Sequence, residues 1–164
     1  MSVSPQFLAL MQSGWKFRLF AMHNVPMAAY ARIRVESLSD RQCAVSVPYS
    51  RRTTNPFKST YFAALSAAAE LSTGILAMGH LWDHRRSVAM LMVDCKAEFV
   101  KKATDLTVFE CTQGEDIAAV IETARLSAEP QTLTMETVGR NSSGDIVARM
   151  AFTWSFKARG NAGA

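Results

Sequence analysis

The stretch from Ser59 to Trp82, STYFAALSAAAELSTGILAMGHLW, limits what this chain can fold into more than any other. Ala, Leu and Met dominate it, no proline interrupts it, and Glu70 is its one formal charge. Those residue types favour a helix. A helix on a protein surface shows water a charged stripe, and this one has none to show. It must be wrapped by other elements or sit in lipid. A lone carboxylate in such surroundings is costly unless something pairs with it or uses it.

Length alone would let residues 59–82 span a bilayer. The stretch also holds Ser59, Thr60, Ser66, Ser72, Thr73 and His80 besides Glu70, and its flanks are basic on both sides (Arg51, Arg52, Lys58; Arg85, Arg86). Those flanks give no orientation signal, and the expectation is a buried helix of a soluble domain with no membrane span. The 164 residues fit a single domain, 1–164, with a real core. The N-terminus lacks a signal-peptide core because Gln6, Gln12, Lys16 and Arg18 break it. Cys43, Cys95 and Cys111 are too few and too scattered for a disulfide framework, so a reducing, cytoplasmic setting is expected.

Residues 5–24 read as a first helix, with Pro5 in its first turn. Phe7, Leu10, Met11 and Phe17 share its broad apolar face. Such a basic amphipathic helix can lie on a membrane, although packing on its own domain is the commoner use. Residues 29–37 alternate, with Ala29, Ala31, Ile33 and Val35 opposed to Tyr30, Arg32, Arg34 and Glu36, which predicts a strand. With 42–48 it makes a hairpin around Ser39-Asp40. The polar segment 49–58, with Asn55-Pro56 as a turn, leads into the long helix, whose N-cap is expected at Ser59 or Thr60.

After that helix come strands at 88–100 and 105–113, a short helix at 115–127, and a hairpin of strands 131–140 and 145–157. The second half of the 88–100 strand alternates, with Asp94, Lys96 and Glu98 out. Its first half is apolar on both faces, so something must cover both there, and a second subunit on an exposed edge would do so. The final strand puts Ile146, Ala148, Met150, Phe152, Trp154 and Phe156 on one face. The tail 158–164 is expected to be disordered. About six antiparallel strands and one apolar helix predict an α+β architecture, a curved sheet wrapped around residues 59–82.

That element order over residues 28–157, together with TTNPFKSTYFAALSAAAELSTGILA, resembles the hotdog-fold thioesterase-like superfamily. The resemblance is to an uncharacterised branch related to the phenylacetate-pathway and YbgC-type thioesterases. In catalytic members an Asn- or His-bearing loop precedes a His-Gly-Gly helix start, and a carboxylate follows nine residues after that His. Here the carboxylate falls on Glu70, the loop position on Asn55, and His-Gly-Gly on Tyr61-Phe62-Ala63.

The resemblance implies acyl-thioester chemistry on a substrate such as acyl-CoA, in a homodimer or dimer of dimers. Catalytic candidates are Glu70, Asn55 and Tyr61. Glu70 would be the general base, since burial raises a carboxyl pKa. A structural Glu tied in an ion pair is the alternative. Thr60, Phe62, Ala63 and Ser66 are substrate-binding candidates, and Ala63, Ser66, Ala67, Gly74 and Ala77 put small residues on Glu70's side of the helix. Arg51 and Lys101, from basic pairs, could receive phosphates. A non-catalytic module binding an acyl or other apolar ligand is the second functional reading.

No cofactor is implied. His80 and His84 lack a third ligand and the zinc-protease pattern, so no metal site is expected. The net charge of +4 favours acidic ligands mildly, but no nucleic-acid motif accompanies it.

Overall fold

A computed structural model describes residues 2–127 and 129–159. Three short helices open the chain: α1 (Pro5–Gln12), α2 (Gly14–Asn24) and α3 (Pro26–Ala31). The single helix expected over 5–24 is therefore broken. Ser13 takes an extended conformation (φ −88°, ψ 108°) before Gly14. The strand expected from residue 29 is also corrected. Ala28 and Ala31 are the buried face of α3, which Arg32 ends in the left-handed region at φ 58°. Strand β1 (Arg34–Leu38) begins after it and pairs with β2 (Cys43–Val47) as the anticipated hairpin.

The central helix α4 runs Phe62–Leu81 and passes into a 3₁₀ turn at Trp82–His84. Neither Ser59 nor Thr60 caps it; Tyr61 holds the N-cap position without a side-chain cap bond. The preceding amides are spent elsewhere: Thr60 N–H donates to the Ala103 carbonyl (2.7 Å) and Tyr61 N–H to that of Thr53 (2.6 Å). Fourteen of the twenty α4 residues are buried, and the rest are Phe62, Ala63, Ser66, Ala67, Glu70 and Met78. From Ala63 onward their spacing of one, three, four and eight makes a single stripe, the side the chain leaves uncovered.

The remaining elements are β3 (Val88–Phe99), β4 (Thr107–Cys111), α5 (Gly114–Leu126), β5 (Gln131–Arg140) and β6 (Ile146–Ala158). Six strands form one antiparallel sheet in the order β1-β2-β4-β5-β6-β3. This α+β sheet curves round α4, which packs on β2, β4 and β5. Within the sheet, Gly139 on β5 leaves room for the ring of its β4 partner Phe109, because a Cβ on it would lie 2.5 Å from that ring. The expected tail lies outside the described residues from 160 onward, and β6 itself extends through Ala158.

Strand β3 is an edge, bonded only to β6 among the described residues. Its register shifts between Met92 and Asp94, opposite Trp154 and Thr153. The extra residue is Val93, and the bulge explains the two-part sequence pattern. Met90 and Met92 share the inner face before it, and Cys95, Ala97 and Phe99 share that face after it. From Leu91 to Phe99 every residue is exposed, with Leu91 at 67% and Val93 at 54%.

The N-terminal segment docks on the far end of α4. Ser4 N–H donates to the Gly79 carbonyl (3.1 Å), and the Phe7 ring lies 4.7 Å from that of Trp82. His80 Nε2 lies 2.9 Å from the Asp40 carbonyl oxygen.

Candidate active site

Glu70 sits midway along α4 on the uncovered stripe, half-buried. No hydrogen bond or ion pair reaches its carboxylate among the described residues, so the structural ion pair is not what holds it. Burial lifts its carboxyl from the ordinary 4.5 to about 7. Half the sites are then ionised near neutral pH, the condition that favours a general base.

The surroundings of that carboxylate come from three elements. One turn on, Gly74 leaves an opening; a Cβ there would meet Glu70 Oε1 at 3.0 Å and Trp154 Cζ2 at 3.3 Å. Trp154, on β6, is buried with its indole N–H donating to the Thr73 hydroxyl (3.1 Å). That hydroxyl donates in turn to the Glu70 carbonyl (2.9 Å). The indole plane is thereby fixed against the helix turn that carries the carboxylate.

A cavity of about 600 Å³ opens beside these residues and runs along the second half of α4. Its walls are apolar: Phe20 and Val25 from the N-terminal helices, Leu71, Ile75 and Met78 from α4, and Val88, Met90 and Trp154 from the sheet. Glu70, Asn24, Arg85 and Arg159 are its polar groups, and Arg85 stacks on the Trp82 ring at 4.4 Å. An apolar chain with one polar, reactive end fits such a space.

The helix start forms a second cluster. Phe62 and Ala63 N–H precede the first intrahelical bonds and have no backbone acceptor among the described residues. Tyr61 and Phe62 are exposed, their rings in edge contact at 4.8 Å. Asn55 lies in the adjoining loop, where its Oδ1 accepts from Phe57 N–H (3.0 Å), Ser59 N–H (3.3 Å) and Ser59 Oγ (3.2 Å). That is a turn-closing role, with Lys58 in the left-handed region at φ 56°. Thr60 is buried, and its hydroxyl donates to the Ala103 carbonyl (3.2 Å).

The structure thus brings Asn55, Thr60, Tyr61, Phe62 and Ala63 together and leaves Glu70 apart. Eight residues separate Phe62 from Glu70, about 12 Å along the axis. Ser66 lies one turn before Glu70 on the same stripe. Lys101 pairs with Asp145 (2.6 Å) at the β5–β6 turn, and Arg51 is exposed in the turn before Asn55. The pair Arg85-Arg86 stood with Arg51-Arg52 and Lys101-Lys102 as a candidate phosphate contact, and Arg85 does line the cavity, whereas Trp154, Met90 and Arg159 were not expected at the site. The aromatic face of the last strand was the one signal for Trp154, and nothing local marks the others as neighbours of Glu70.

A family model described as a domain of unknown function, DUF4442, matches residues 13–156. The chain belongs to the DUF4442 family. No curated protein matches it. Among solved structures, this DUF4442 chain is similar to PA5026 of Pseudomonas aeruginosa, described as a protein of unknown function and "Probable Thioesterase". The two share 18% identity over 92% of this chain and 99% of that one, with a TM-score of 0.77. Thioesterase HI1161 of Haemophilus influenzae is 13% identical over 89% and 91% of the two chains, with a TM-score of 0.65. A variant of thioesterase PA1618 of Pseudomonas aeruginosa is 13% identical over 90% and 96%, with a TM-score of 0.68. At these identities the likeness establishes the fold alone: this DUF4442 protein has the hotdog fold.

Proposed function

We propose that this protein hydrolyses an acyl thioester such as acyl-CoA, with Glu70 as general base. The observation that carries the reading is a carboxylate with no partner among the described residues, raised to about 7 by burial, lining an apolar cavity beside Gly74 and Trp154. Glu70 takes a proton from water as the water oxygen bonds to the thioester carbonyl carbon. The C–S bond then breaks, the sulfur leaves with the bonding pair, and the proton passes from Glu70 to the thiolate. Oxyanion stabilisation falls to the Phe62 and Ala63 amides.

Those amides stand about 10–12 Å from Glu70 along the helix in one chain, too far to share a carbonyl carbon's substituents. The site is therefore completed by a second copy, and the exposed apolar β3 edge is the surface on which a homodimer, or a dimer of dimers, would form. In this reading Asn55, whose Oδ1 is spent on its own turn, serves through Nδ2, the exposed Tyr61 supplies its hydroxyl, and exposed Arg51 takes the phosphates. Cys43, Cys95 and Cys111 are free thiols, in keeping with a cytoplasmic setting.

A panel of acyl-CoAs assayed with wild type and Glu70→Gln tests the proposal. Loss of 10²-fold or more in kcat/KM is expected on the scale of about 10²–10⁴ for a general base. Equal rates would remove Glu70 from the mechanism. A second reading, an acyl-binding module without turnover, draws support from the Tyr61–Phe62 ring pair, which adds bulk at the helix start. Native mass spectrometry of protein taken from cells separates the two, because a retained, uncleaved thioester favours the binder.

A further inference from the structure

We propose that the outer face of α2 and α3 docks on an anionic lipid surface. This inference does not rest on the thioester reading. Helix α2 is apolar on two faces. Phe17 and Ala21 are buried in the domain, while Trp15 (66% exposed), Leu19 (57%) and Met22 (56%) point outward. At 100° per residue those three occupy one narrow arc. Arg18 borders the arc on one side, and Lys16 and His23 border it on the other. Met27 (54%) and Tyr30 (63%) continue the exposed apolar surface along α3.

The segment that carries this surface is basic, and the first carboxylate after it, Glu36 on β1, accepts from the Ser46 hydroxyl. Residues 1–35 contain Lys16, Arg18, Arg32 and Arg34 and no Asp or Glu. None of the four forms an ion pair among the described residues. Arg52, from the turn before α4, lies over the Tyr30 ring at 5.5 Å and adds a fifth cation to the rim. A tryptophan-bearing apolar wedge bordered by Lys16, Arg18 and Arg52 is complementary to a bilayer interface with acidic headgroups. A protein partner buried there would have to bring its own carboxylates to every one of these positions. The opposite edge of α2 (Phe20, Asn24), with Val25 just after it, walls the cavity that Glu70 lines, so the docking helix and the cavity share one element.

The test is sedimentation of the full chain with vesicles of phosphatidylcholine alone and of phosphatidylcholine mixed with phosphatidylglycerol. Binding to the mixed vesicles is expected, weakening with salt, with little binding to the neutral ones. Lys16→Gln/Arg18→Gln should lower the affinity roughly 30-fold, two basic residues' worth at the membrane surface. Leu19→Ser/Met22→Ser should abolish binding while leaving circular dichroism and Tm unchanged, since both side chains are exposed. The proposal is overturned by absence of binding or by equal binding to both vesicle types. It is equally overturned if Leu19→Ser/Met22→Ser dissociates an oligomer in lipid-free solution, which would assign the face to a second copy.

Discussion

Trp154 donates its indole N–H to Thr73 across 3.1 Å, joining strand β6 to the helix turn that begins at Glu70. Eighty-one positions separate the two residues in sequence, and the bonded indole lies beside Gly74, next to the carboxylate. Among the described residues the Glu70 carboxylate has no hydrogen-bond or ion-pair partner, and burial is what sets its charge state.

The first prediction concerns that response. With a folded pKa of about 7 and an ordinary value of 4.5, Glu70 is protonated in both states at low pH and its burial then has no electrostatic cost. As pH rises the unfolded chain ionises first, and stability falls until the folded carboxyl ionises near 7. The loss should reach about 2–3 kcal/mol after allowance for partial exposure. Urea denaturation should therefore show Glu70→Gln gaining on wild type by that amount at alkaline pH and matching it at acid pH. Parallel profiles for the two proteins would show that burial does not perturb this carboxyl. The rate of thioester hydrolysis should move oppositely, rising with pH through about 7.

Gly74 controls access. Ala at this position gains about 1 kcal/mol of helix propensity. Its Cβ would press on Glu70 Oε1 and on an indole that Thr73 does not release. Gly74→Ala should hold Tm within a few degrees while acyl binding falls, as read by titration calorimetry with a non-hydrolysable acyl thioester analogue. Unchanged affinity would place the ligand elsewhere.

The helix was legible because its apolar residues leave no solvent face, and both flanking hairpins were legible because alternation and turn residues agreed. Residues 29–33 misled because the run alternates, yet Ala31 there, with Ala28 before it, serves the buried face of α3. The break at Ser13-Gly14 was marked by a turn dipeptide that periodicity on either side outweighed. Glu70 announced itself as a single charge. Its neighbours Trp154 and Met90 did not, because sheet order decides their company: β3 crosses to the far edge beside β6, a placement that depends on pairing rather than on any local pattern.

A buried hydroxyl pair offers a stability test away from the site. Ser72 and Thr137 hydroxyls lie 2.8 Å apart, both fully enclosed between α4 and β5. Ser72→Ala should cost about 1–2 kcal/mol by leaving Thr137 without this partner. Adding Thr137→Val should recover most of it. Additive losses in chemical denaturation would mean that the two hydroxyls are not coupled.

For the β3 edge, Met92 (40% exposed) and Phe99 (49%) share the inner face on either side of the bulge. Met92→Lys/Phe99→Lys should shift a dimer to monomer in sedimentation velocity at micromolar protein. It should also depress hydrolysis if the helix start of one copy serves Glu70 of the other. A dimer that survives both charges would move the interface off this strand.

The position of Trp154 has an optical consequence. Trp82 and Trp154 line the cavity beside Glu70, whereas Trp15 stands on the outer face of α2. The three indoles thus divide into two inner chromophores and one outer chromophore. Emission from a Trp15→Phe protein would follow cavity filling, and emission from Trp15 alone would follow the polarity outside α2. Occupancy and surface contact can be watched as separate colours of one chain, with no label attached.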